Sequence, residues 1–124
     1  MSELEAVLAN IESNLEAAYE RLFALLRIRS ISTDPAYAEE CRACADWHVK
    51  DLQSIGFEAS ARQTQGHPIV VAHDRNSPGR SVLFYGHYDV QPVDPLEQWR
   101  QPPFEPHIET DATNGPMILS LIHI

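Results

Sequence analysis

The apolar residues of this chain change their spacing at Gly56. Before it they recur every three or four positions; after it they alternate or gather in short runs. Such a chain places helices first and strands after, the opening of an α/β layer fold. Leu4, Val7, Leu8, Ile11, Leu15, Ala18, Tyr19, Leu22, Leu25 and Leu26 predict one long helix over residues 3–28, packed on its own domain, with Ser2 and Glu5 as a capping box. Asp34-Pro35 predicts the N-cap and first position of a second helix that ends near Ile55. Gly56 then stands where a left-handed stop is wanted.

Beyond Gly56, Phe57, Ala59 and Ala61 alternate with Glu58, Ser60 and Arg62, as in a half-buried strand. Ile69–Ala72 and Ser81–Tyr85 read as two buried strands, with a turn at Asn76–Gly79 between them. From Pro92 to Pro106 five prolines predict an irregular loop, under which Trp99, Pro102, Pro103 and Phe104 form a small satellite core. The uncharged run Met117–Ile124 reads as a strand without an obvious partner, an aggregation hazard. At 124 residues the chain makes one domain at most.

Charge narrows the partners. Nine Lys plus Arg face eighteen Asp plus Glu, a net charge of -9, so nucleic acid is not an expected partner. The polar face of the first helix is acidic, which disfavours a membrane surface, and no run of about 18 apolar residues could span a bilayer. Met1-Ser2-Glu3-Leu4-Glu5 lacks the basic and apolar regions of a signal peptide. With two cysteines only, a reducing, cytoplasmic location is expected.

The strongest chemical signal is His87-x-Asp89 at the end of a buried strand, where α/β folds place ligand chemistry. Three readings stand side by side. The imidazole binds a metal while the carboxylate holds its other ring N–H; both side chains ligate; or the pair belongs to a structural turn. Gly86 permits close backbone approach before the histidine, and Pro92 stiffens the rim. Cys41-x-x-Cys44 lies mid-helix without a second ligand pair, so the two cysteines read as small apolar residues of a helix stripe. His48 reads as a packing or surface residue. His67 and His73 lack a nearby ligand set, and His107 is undecided. No phosphate-cradling glycine loop and no nucleophile motif is present.

The stretch Val82-Leu-Phe-Tyr-Gly-His-Tyr-Asp-Val-Gln-Pro-Val-Asp-Pro-Leu96, then Trp99, then Pro102-Pro-Phe-Glu-Pro106, resembles the dizinc exopeptidases of the carnosinase, aminoacylase and carboxypeptidase G family. The His-Tyr-Asp-Val-Gln-Pro form is closest to the dipeptidase branch. Fainter likeness runs through Leu26-Arg-Ile-Arg-Ser-Ile-Ser-Thr-Asp-Pro-Ala-Tyr37, Leu52-x-x-x-Gly56-Phe57 and Thr64-x-x-His67-Pro68.

The resemblance implies that His87 is a ligand of one zinc ion. It places Asp89 among the active-site residues as the carboxylate that clamps the His87 imidazole. In the family, two zinc ions about 3.5–4 Å apart polarise the scissile carbonyl and activate a bridging water; manganese and cobalt suit the same ligand types. The implied substrate is a dipeptide, or a small amide if the chain belongs to the deacylase branch. A binding module without catalysis is the reading from another class. The family's bridging Asp, its Glu-Glu pair and its lid domain, through which an intact relative homodimerises, have no counterpart in these residues. The expectation is therefore a truncated α/β catalytic domain of two helices and about three strands over residues 1–118, inactive alone, with a sheet edge unfilled and half a metal site. Leu119-Ser-Leu-Ile-His-Ile124 equals the translation of a transposon-end sequencing adapter, so residues 119–124 are expected to be non-native.

Overall fold

The computed structural model describes residues 2–76, 78–113 and 115–121. It is mixed α/β. Three α-helices come first or centrally: α1 (Glu3–Ser13), α2 (Leu15–Leu26) and α3 (Ala38–Ser54). Four strands follow: β1 (Glu58–Arg62), β2 (Ile69–His73), β3 (His107–Asp111) and β4 (Gly115–Leu119). The strands form two antiparallel pairs, β1 with β2 and β3 with β4.

The expected helix over 3–28 is two helices, parted at Asn14. The Asn14 side chain donates to the Asn10 carbonyl at 2.8 Å, and the Ser13 hydroxyl donates to that same carbonyl at 3.0 Å. Such side-chain bonds compete with the helical ladder and end it. The capping box of Ser2 and Glu5 is present. The stripe, however, does not pack as expected: neither α1 nor α2 holds a buried residue, and Leu4, Val7, Leu8 and Ile11 stand at least half exposed. An apolar stripe states a preference for cover, and no described residue buries α1.

The second helix matches its expected limits closely. Asp34 accepts from the Ala36 amide at 2.9 Å over a 3-10 turn, Pro35–Tyr37, before α3 begins. Gly56 adopts φ +97°, and the amides of Gly56 and Phe57 return to the carbonyls of Gln53 and Leu52, closing the helix as a left-handed cap does. The β1–β2 hairpin packs on α3, with the Gln53 side chain donating to the Ala59 carbonyl at 3.0 Å. Cys41, Cys44, Ala45 and Ala59 form this core, and Ile31 is buried too. Arg21 reaches Asp51 at 3.4 Å, tying α2 to α3.

Two strand expectations are corrected. Ser81–Tyr85 carries no regular structure, and Val82, Leu83, Phe84 and Tyr85 are 74–92% exposed. A strand exists only through a partner's hydrogen bonds, and no described strand lies beside this run. In contrast, the apolar run at the C-terminal end has a partner. Met117 pairs with Glu109 and Leu119 with His107, so residues 107–111, which follow the expected loop and belong to no expected element, are β3. The chain then folds back on the proline-rich loop: the Leu121 amide donates to the Pro103 carbonyl at 2.9 Å, and Ser120 and Leu121 are buried. Trp99 is half-buried in that loop, its indole donating to the Val93 carbonyl at 2.9 Å. The expected turn at Asn76–Gly79 includes Ser77, which lies outside the described residues, as does His123.

Candidate metal centre

The segment from Gly86 to Val90 is held by a second segment, Ser30–Ser32, far away in sequence. Ile31 and Val90 form a parallel bridge. The Val90 amide donates to the Ser30 carbonyl at 3.0 Å, and the Ser30 hydroxyl donates to the Tyr88 carbonyl at 2.8 Å. The Cys44 thiol donates to that same carbonyl at 3.7 Å, so α3 also braces the turn. Tyr88 reaches the other way, its phenol donating to the Pro68 carbonyl at 2.6 Å. The backbone around His87 and Asp89 is thus tied to α3, to the start of β2 and to the loop after α2.

His87 and Asp89 lie in hydrogen-bond contact. His87 Nδ1 lies 3.1 Å from Asp89 Oδ1 and 3.0 Å from the Asp89 carbonyl. Both oxygens only accept, since the Ser32 hydroxyl, bonded to Asp89 Oδ2 at 2.6 Å, and the His87 ring hold the Asp89 carboxyl below the usual carboxylate range. Nδ1 must therefore carry the ring proton. In the neutral ring Nε2 then keeps its lone pair, and the His87 side chain is 70% exposed. One ring nitrogen clamped and the other open is a geometry compatible with metal binding.

The pair opens on a cleft of about 590 Å³ whose walls include Ser32, His48, His67, Tyr85 and Tyr88. His67 donates from Nε2 to the Ser32 carbonyl at 2.8 Å. His48 packs edge-on against Trp47, with ring centroids 5.3 Å apart, and at 5.9 Å from Tyr88; burial pushes its imidazole below the ordinary histidine range, and its Nε2 has no hydrogen-bond partner among the described residues. His107 bonds Glu109 at 3.1 Å on β3, within one strand and outside the lining of this cleft. No group of three or more His, Cys, Asp or Glu side chains among the described residues could hold a metal ion. The donor chemistry present fits one metal–imidazole bond, from His87 Nε2, with its orienting carboxylate in place.

Sequence reasoning missed Ser30, Ser32 and the role of His67. No spacing rule joins Ser32 to a residue 57 positions away. Their only signal was membership of the fainter matching stretches around Leu26–Tyr37 and Thr64–Pro68.

No family model matches the chain. Over 122 residues, 87% of its length, it is 29% identical to "Cys-Gly metallodipeptidase DUG1" of Candida albicans, of which it covers 25%. Over 66 residues, 51% of its length, it is 39% identical to "Succinyl-diaminopimelate desuccinylase" of Burkholderia mallei, of which it covers 17%. Its fold superposes on the di-peptidase Dug1p from Saccharomyces cerevisiae with a TM-score of 0.74 and 24% identity, covering 90% of this chain and 26% of that one. The chain is thus similar to metallopeptidases of the kind that the motif around His87 resembles. It spans about a quarter or less of the length of the relatives it matches. No described helix is long and apolar enough to cross a membrane.

Proposed function

We propose that this chain carries the first metal-binding turn of a zinc-dependent dipeptidase, with His87 as a zinc ligand through Nε2 and Asp89 as the carboxylate that orients it. The observation that carries this reading is the contact of His87 Nδ1 with two acceptor oxygens of Asp89, which leaves Nε2 free for a metal. Zinc bound there would act as a Lewis acid on the scissile carbonyl and on water. What these residues supply is a fixed tautomer, a fixed ring direction and a carboxylate that raises the ligand's basicity. A catalytic zinc takes three protein ligands and an open position. With one such ligand among the described residues, the 124-residue chain alone is expected to bind zinc weakly and to leave dipeptides uncleaved.

The longer alignment with a Cys-Gly metallodipeptidase supports peptide over acyl-amide substrates. The higher identity to a desuccinylase over 66 residues favours hydrolysis of N-acyl amino acids as the second reading. Residues 1–118 are the native peptidase part in this proposal, 119–124 a foreign tail, and an intact protein is a cytoplasmic homodimer joined through a lid domain. Genomic codons at 119–124 that continue a peptidase reading frame would remove the tail from the proposal. The product of the continuous frame, loaded with zinc, should cleave Cys-Gly and related dipeptides faster than N-succinyl or N-acetyl amino acids. Asp89→Ala should lower zinc affinity or turnover about 10- to 100-fold. Hydrolysis that survives both chelation and this substitution would overturn the reading.

A further inference from the structure

Ser32 stands between the site's carboxylate and a second histidine. Its hydroxyl donates to Asp89 Oδ2 at 2.6 Å, while Asp89 Oδ1 faces His87 Nδ1 at 3.1 Å. Its carbonyl accepts from His67 Nε2 at 2.8 Å. A carboxylate turns about one bond, so a hydroxyl fixed on one oxygen decides where the other points. The hydroxyl is itself fixed, because residues 30–32 do not hang free: Ser30 is 1% and Ile31 3% exposed, and Ile31 bridges to Val90 in register. Ser32, half-buried at the edge of this brace, turns its side chain to the site.

We propose that Ser32 is a positioning residue of the metal site: its hydroxyl, with His67 anchoring its carbonyl, aims the Asp89 carboxylate that holds His87 in its Nδ1–H tautomer. This rests on the reading of His87 as ligand and Asp89 as its orienter. The consequence is visible without metal, because the tautomer of a neutral histidine is read directly from the ring nitrogen resonances.

The 124-residue chain, labelled with ¹⁵N at histidine and held metal-free above the histidine titration range, at about pH 8, gives the test. In the unsubstituted chain Nδ1–H should dominate at His87. Ser32→Ala should lower the ratio of Nδ1–H to Nε2–H about tenfold, the worth of a charge-assisted hydrogen bond. Ser32→Thr keeps the hydroxyl and should restore the ratio; Ser32→Val, of the same shape without it, should not. Amide resonances of Cys41, Cys44 and Ala45 report that the fold persists, and the Thr–Val pair decides the matter if the alanine variant unfolds. An unchanged ratio in a folded alanine or valine variant overturns the role of Ser32. An unsubstituted chain dominated by Nε2–H instead overturns the ligand reading of His87.

Discussion

Cys41 and Cys44 show how one turn of a helix decides a residue's chemistry. Their spacing is that of a redox or zinc pair, yet both are fully buried on α3, and both are free thiols. Burial pushes the Cys44 thiol up to about 11, with the Ser30 hydroxyl partly offsetting it; burial raises Cys41 as well. A thiol whose pKa is higher folded than unfolded holds its proton more tightly in the native state. Its stabilising share is therefore whole below the ordinary thiol range, about pH 8.5, and is lost as pH climbs towards 11. Denaturant midpoints should fall between about pH 9 and 11, and Cys44→Ala should flatten much of that fall. At about pH 8 native Cys44 should resist iodoacetamide over a time in which the unfolded chain reacts fully, since the thiolate is the nucleophile. The apolar reading of these cysteines was legible from their place on a helical stripe. The hydrogen bond from Cys44 to Tyr88 was not, because its partner lies 44 residues on.

Elements differ in how much of them is local. The capping box of α1 is written in Ser2 and Glu5, three residues apart. With no buried residue to hold it, α1 leans on that cap. Ser2→Ala should cost about 1 kcal/mol of helix stability, seen as faster amide exchange through α1 while α3 keeps its protection. The break at Asn14 escaped a reading by apolar period, because the period continues through it and the break is made by side-chain hydrogen bonds. Ser81–Tyr85 failed in the opposite direction. Its β-branched and aromatic run carries strand propensity, but propensity in strands is a fit to neighbours, and no described strand neighbours it. The β3–β4 hairpin was half legible: Met117–Leu119 read as strand, while His107–Asp111 is mostly polar and took its state from the partner.

At the scale of the molecule, one stretch of surface and one long-range joint set the behaviour. Val82–Tyr85 exposes four large apolar side chains in a row, the type of patch that drives association. Leu83→Lys should raise the concentration at which the 124-residue chain stays monodisperse, with unfolding free energy unchanged within about 0.5 kcal/mol. The joint is Ile31, 3% exposed, where the loop after α2 meets the turn that carries His87 and Asp89. Ile31→Ala should cost about 2–5 kcal/mol, measured by denaturant unfolding, and should loosen both segments together.

By itself the sequence determined α3 with its stop at Gly56, the places of β1 and β2, and the capping box, and it singled out His87 and Asp89. Each rests on residues a few positions apart, where geometry follows from backbone period and side-chain reach. Tertiary structure alone decided that Ser32 holds Asp89 across 57 residues and that His67 holds Ser32 across 35. Contacts at such separations depend on which loop closures the packed elements allow, and no local pattern encodes them.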